Sequence, residues 1–296
     1  ISSSRSLETF HRLLLIDFQS SKQTNSVPPG CPMKNLTNVI IILACLAAAY
    51  LVFYFVLGAP GNFTNPETGE VDFHVPQNAL GMIFTGGPIV GLLIACILLA
   101  ITYVVERMLS IGKAQGAGNM HTFGKKIVDL VEKGQFDAAV KECDSQRGSL
   151  ANVLRAAIER FRSVEADAKL TPEQKLAEVQ RVIDENMNLE TPLLEKNLVI
   201  LSTVASVSTM IGLLGTTVGM IRSFQALGAG GTVSAQSLSV GISEALYNTA
   251  GGLVAAVIAI VAFNFFTTKV DNFTYTMDET ILDLMETLAV RTGGKV

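Results

Sequence analysis

The sequence has no tryptophan, and only 16% of its 296 residues are charged. A soluble globular domain carries roughly 25% charge. That shortfall, with 49% hydrophobic residues and a mean hydropathy of +0.42, excludes an ordinary soluble fold. Without tryptophan, any aromatic belt at a membrane surface must be built from tyrosine and phenylalanine. A basic excess is missing too. The net charge is −4 and the isoelectric point is near 5.5, which argues against nucleic acid as a partner. The four cysteines, Cys31, Cys45, Cys96 and Cys143, have no metal or redox spacing. Cys45 and Cys96 fall inside apolar runs, where a thiol behaves as a small hydrophobe. No metal, cofactor or enzymatic residue set is expected.

What the chain does have is long apolar runs. Apolar stretches at residues 38–58, 87–105, 198–221 and 243–267, uncharged apart from Glu244 at the edge of the last, each approach the ~20 residues that a membrane-spanning helix needs. Their continuous hydrophobicity excludes barrel strands, which are shorter and alternate. The fold expected is therefore all-α, a polytopic membrane protein with four transmembrane helices. Residues 1–32, with serine clusters and a Pro-Pro-Gly, carry no sustained periodicity. They read as a non-native or disordered leader, and the first helix is placed at residues 33–58.

Charge placement sets the orientation. The loop at residues 59–86 has no lysine or arginine, only Glu67, Glu70 and Asp72. The loop at 222–242 has Arg222 alone, at the helix edge. Arg107, Lys113, Lys125, Lys126, Arg155, Arg160, Arg162 and Arg181 crowd the segment 106–197, and Lys269, Arg291 and Lys295 follow the last span in the tail 268–296. The positive-inside rule makes 106–197, 268–296 and both termini cytoplasmic, and the two basic-poor loops extracytoplasmic.

The cytoplasmic segments read as helical extensions of the spans. Leu150, Val153, Leu154, Ala157, Ile158 and Phe161 mark one amphipathic helix by their spacing. Thr171-Pro172-Glu173-Gln174 has the form of a capping box with proline in the first turn. No breaker follows until Pro192, so a single helix is expected from Thr171 through Ile221, bent at that proline and roughly 75 Å long at 1.5 Å per residue. Val270, Phe273, Met277, Ile281, Leu284 and Leu288 form a second stripe after the last span.

The third and fourth spans carry the informative residues. Ala205, Ser208, Gly212, Gly215 and Gly219 form a small-residue ridge, and Gly215-x-x-x-Gly219 permits close helix approach. The run Gly212-Leu213-Leu214-Gly215-Thr216-Thr217-Val218-Gly219 resembles the G-L-x-G-T-V-x-G signature of the ExbB/TolQ/MotA proton-channel family. Gly241-Ile242-Ser243-Glu244-Ala245-Leu246, then Thr249-Ala250, Gly252-Leu253 and Asn264, is similar to the same family's next motif. Glu106-Arg107 at the end of the second span is a further junction common there. Two departures stand out. Thr209-Met210-Ile211 replaces a proline often found before the first motif, and Thr217 stands where valine is usual. The fourth, N-terminal span is additional to the three of typical ExbB and TolQ proteins, and MotA-like proteins have four but a different, proline-rich motif. The motifs side with ExbB and TolQ, ExbB first.

The resemblance implies a homopentameric ring in the bacterial inner membrane, enclosing single-span ExbD- or TolR-like partners that each bring a proton-binding aspartate, with a TonB-like protein as a possible further partner. Thr216 and Thr249 would line the pore, Glu244 would border the proton pathway, and Gly212, Gly215, Gly219 and Gly252 would pack the pore helices. No aspartate, histidine or lysine sits at the midplane of any span, so the titrating group would come from the partner. Each charge crossing ~100 mV supplies roughly 2.3 kcal/mol, which the family uses for a rotary motor driving outer-membrane transport.

Physical reading of the same residues leaves alternatives open. A threonine hydroxyl can line a hydrated path or bond its own helix carbonyl. Glu244 can serve conduction, sit hydrated at the interface, or pair with Arg222 of a neighbouring subunit. On an ideal helix it lies about 140° from Thr249. Envelope maintenance or motility in the manner of TolQ or MotA, a secondary transporter and a non-conducting scaffold are the competing functions. The transporter is disfavoured by the lack of an internal repeat.

Overall fold

In a computed structural model, residues 32–64, 71, 78–167, 169–228 and 235–293 are described. The leader expected over residues 1–32 lies, apart from Pro32, outside them, as do parts of both expected outward loops. Among the described residues the regular structure is helical, and the only β-type pairing is an isolated bridge between Thr64 and Val71. Four helical stretches are long and apolar enough to cross a membrane, containing Asn38–Leu57, Pro88–Glu132, Pro172–Gln225 and Ser239–Thr292. The all-helical, four-span reading of the sequence holds.

The chain divides into two compact units, one ending at Ala48 and one running from Ala49 to Val296. The described part of the first belongs to helix α1 (Pro32–Val52). Its Val39, Ile40 and Leu43 stand exposed, as side chains facing lipid would.

The second unit begins with the end of α1, which widens into a π turn at Phe53–Leu57. Asn62 donates to the carbonyls of Val56 and Leu57 at 2.8 and 2.9 Å, satisfying acceptors that the helix end leaves open. A short helix α2 (Ala79–Phe84) follows. Its Phe84 ring stacks on Phe53 at 4.7 Å and meets Phe63 edge-on at 5.5 Å. Helix α2 is thereby fixed, and with it the turn that leads into α3 (Pro88–Gln115).

Helix α3 continues well past the apolar run because nothing in residues 106–115 breaks it; Gly116, at φ 76°, ends it. Four shorter helices come next: α4 (Met120–Glu132), α5 (Phe136–Gln146), α6 (Ser149–Glu165) and α7 (Pro172–Glu195). Thr171 caps α7 with the reciprocal Gln174 bond, so the capping box is present. The amphipathic stripe of α6 is buried, with Val153, Leu154, Ala157, Ile158 and Phe161 all at 0% exposure. Burial in this layer, aided by neighbouring Asp144, pushes the Cys143 thiol up to about 12 and makes it an inert packing residue.

The single long helix expected from Thr171 through Ile221 is instead two. The break falls at Lys196 and Asn197, and Pro192 lies inside α7. Lys196 is extended (ψ 139°) and Asn197 adopts φ 64°, a left-handed conformation that asparagine tolerates better than most residues. Arg107 of α3, at 1% exposure, donates to the Leu194 carbonyl at 3.2 Å and holds Glu106 through two 2.8 Å bonds. A cation on a terminal carbonyl suits the helix dipole. The proline removes one donor, which a helix can absorb, whereas this buried arginine satisfies the carbonyl where the helix stops.

Helix α8 (Leu198–Gly228) and the 58-residue α9 (Ala235–Thr292) form the most extensive helix pair. Small residues from three helices make its core: Cys96 and Ala100 of α3, Val204 and Ala205 of α8, Ala255 and Ala259 of α9. Beyond the apolar run, the stripe from Val270 to Leu288 is buried. Gly124 of α4 admits Thr280 there, and Arg291 joins Glu165 at 3.2 Å.

Candidate functional site

Glycine brings the two motif-bearing helices together. A Cβ on Gly212 would stand 3.2 Å from the Gly252 Cα and 3.5 Å from the Thr249 Cα, and one on Gly252 would be 2.7 Å from the Ser208 carbonyl. Further along, Gly219 faces Ala245 and the Gly241 carbonyl, each 3.0 Å from where its Cβ would be. Between them, Gly215 faces the side chain of Asn248. All four glycines singled out from the sequence therefore sit in the α8–α9 contact of one chain. The small-residue ridge is thus used within the protomer.

Thr216 and Thr249 lie on these same two helices, both half-buried. Thr216 donates its hydroxyl proton to the Leu213 carbonyl at 2.7 Å, and Thr249 donates to Ala245 at 3.3 Å. The helix-bonding alternative is thus realised in both. It leaves each hydroxyl oxygen free to accept, so the pair offers acceptors to an incoming donor. Thr217 makes the equivalent bond to Leu214 at 2.8 Å and is exposed.

Glu244 is buried, at 7% exposure, and accepts from Arg222 at 2.5 Å. The pair is formed within one chain, between the end of α8 and α9, and does not need a neighbouring subunit. Both side chains lie against the turn before α3. A Cβ on Gly87 would be 3.1 Å from Glu244 Oε1 and 3.5 Å from Arg222 Nη1, and Gly87 holds φ 75°, where only glycine is unstrained.

Sequence reasoning passed over Asn248. It is wholly buried, donates through Nδ2 to the Gly86 carbonyl at 3.0 Å, and its Oδ1 has no donor among the described residues. Burying an amide oxygen without a donor costs about 1–3 kcal/mol. The signal was present in the spacing: Asn248 lies four residues after Glu244 and four before Gly252, on the packing face of the same helix. Ser223, 2% exposed, completes this end by bonding the Gly219 carbonyl at 3.0 Å.

Such a fold and site define a multi-pass helical membrane protein whose two glycine-packed spans carry threonines and a buried glutamate paired with a half-exposed arginine. Residues 145–279 match the MotA/TolQ/ExbB proton channel family, and over this part the chain is similar to that family's members. Among its relatives is the Tol-Pal system protein TolQ of Haemophilus influenzae, 41% identical over 105 residues, covering 36% of this chain and 45% of that protein. The TolQ of Pseudomonas aeruginosa is 29% identical over 160 residues, 51% of this chain and 69% of that one. The biopolymer transport protein ExbB of Aquifex aeolicus is 40% identical over 77 residues, 26% and 52% of the two chains. Against the Haemophilus and Aquifex relatives, the chain spans about half of their length.

Proposed function

We propose that this chain is the channel subunit of a proton-driven energy-transducing complex of the bacterial inner membrane. It would form a homopentameric ring around single-span partners of the ExbD or TolR kind, whose aspartate takes and releases the proton. The observation that carries the reading is the placement of Thr216 and Thr249 on the two glycine-packed helices α8 and α9, each hydroxyl oxygen left able to accept in a span without a midplane acid. A carboxylic acid carried in by a partner would find its hydrogen-bond acceptors there. The ExbB-like role, coupling proton motive force to outer-membrane transport through a TonB-like protein, and the TolQ-like role in envelope maintenance are supported equally, because relatives bearing each name match at 40% and 41% identity.

Reconstitution tests the reading. Proteoliposomes holding the chain with a co-purified ExbD- or TolR-like partner are expected to dissipate an imposed proton gradient. Vesicles with the chain alone should stay tight, and native mass spectrometry of the same preparation should give five copies. A stable monomer or dimer, or leakage independent of the partner, would overturn it.

Orientation is the second part of the proposal. The basic-rich polar helices α4–α7 and the end of α9 would be cytoplasmic, and the two basic-poor loops extracytoplasmic. In a background lacking the native thiols, Lys125→Cys should resist a membrane-impermeant maleimide in intact spheroplasts and react once they are lysed. Labelling before lysis would reverse the assignment.

A further inference from the structure

We propose that the Gly86–Gly87 turn is a lid over Glu244, the buried member of the Arg222–Glu244 pair, and that Asn248 is the positioning residue that latches it. The turn rests directly on the pair. The Glu244 carboxylate and the Arg222 guanidinium lie 3.1 and 3.5 Å from the place a Gly87 Cβ would take, and at φ 75° a larger residue would be strained. One residue back, the Gly86 carbonyl takes the Asn248 Nδ2 hydrogen bond at 3.0 Å, the one side-chain bond from α9 to this turn among the described residues. Release of that bond removes this tether between α9 and the turn, which lies directly beside Glu244, itself 7% exposed.

The latch is built to be reversible. Asn248 uses only its amide hydrogens, and its Oδ1 is buried with no donor. Opening the turn would let water reach that oxygen and the Gly86 carbonyl together, so hydration offsets the loss of the closed bond. A latch with both ends satisfied would have no such return. Two glycines hold the room for it: Gly215 on α8, whose Cβ would lie 2.7 Å from Asn248 Cγ, and Gly86, whose Cβ would lie 3.4 Å from Oδ1. Helix α2 provides the fixed side of the hinge, since Gly87 N–H bonds the Phe84 carbonyl at 3.0 Å and Phe84 stacks on Phe53 and meets Phe63 edge-on. The inference rests on the proposed function for its consequence, which is that water and protons reach Glu244 only when the turn lifts.

Solvent access at Glu244 tests the latch without reference to conduction. The purified full-length chain is treated with a water-soluble carbodiimide and an added amine in mildly acid buffer. Amide formation at Glu244 is followed by peptide mass spectrometry and divided by that at Glu106, a partly exposed acid beside the α7–α8 break. Asn248→Ala should raise this ratio about five- to tenfold, the effect of losing one ordinary hydrogen bond on the opening equilibrium. Asn248→Ser should move it in the same direction should the alanine variant assemble poorly, and Glu244→Gln identifies the modified peptide. General loosening of the protein would raise both acids and leave the ratio unchanged, which would overturn the proposal, as would a wild-type ratio in both variants. Because labelling reads access and not transport, a chain that conducts no protons would leave this result standing.

Discussion

Thr216→Val and Thr249→Val are each expected to reduce partner-dependent proton flux by about 10- to 100-fold while leaving the ring assembled. Valine has nearly the shape of threonine, so the half-buried packing around both sites should survive. What disappears is an oxygen acceptor. A hydrogen bond to a charged or proton-sharing group contributes about 1.5–3 kcal/mol, which sets the expected range of rates. The hydroxyl bonds to Leu213 and Ala245 are a poor reason to keep threonine here, because those carbonyls sit in helices that already supply backbone donors. Thr→Ser at either site restores an oxygen and should recover part of the flux. Thr217 makes the same helix bond from an exposed position, so Thr217→Val is the control and should be tolerated. Full flux in Thr216→Val and Thr249→Val vesicles, measured with the partner present, would reduce both residues to helix packing.

The readable and unreadable parts of this chain divide along a physical line. Helices announced themselves because membrane spans need long apolar runs and the polar helices need periodic ones. The stripe on α6 and the one closing α9 were therefore placed residue by residue. Glycine spacing likewise marked the α8–α9 contact, since close approach demands missing side chains. It could not say whether the partner helix belongs to the same chain; in the structure the ridge faces α9 of the same protomer. The break at Asn197 was displaced from Pro192 for a similar reason. Proline is visible in sequence, whereas the carbonyl capture by Arg107 joins residues 87 positions apart. The Arg222–Glu244 pair, 22 positions apart, was foreseen between subunits for want of any means to fold α8 back on α9. Asn248 was missed because a neutral amide carries no charge signal, although its four-residue spacing from Glu244 and Gly252 put it on the packing face.

The glycine contact also yields the largest expected effect on assembly. Gly215→Leu should abolish recovery of folded oligomer, while Leu214→Ala, at a side chain 55% exposed, should change little. At Gly215 even a methyl group would lie 2.7 Å from Asn248 Cγ, well inside contact distance. Asn248 has nowhere to retreat, because its amide is held by Gly86 on the far side. Overpacking a close-packed site typically costs about 1–3 kcal/mol. Here it would also break the Asn248–Gly86 bond and strand both polar groups in an apolar setting, adding about 1–3 kcal/mol. Size-exclusion profiles after graded heating measure the outcome. A milder pair of variants isolates the cause: Gly215→Ala alone should lower the midpoint, and Asn248→Gly in the same chain should restore part of it, because the atom nearest the new methyl is the Asn248 Cβ at 2.4 Å. Additive effects would separate the two residues. Equal recovery of Gly215→Leu and Leu214→Ala oligomers would mean that the two helices can part at this point and still assemble, and the glycine would then be dispensable.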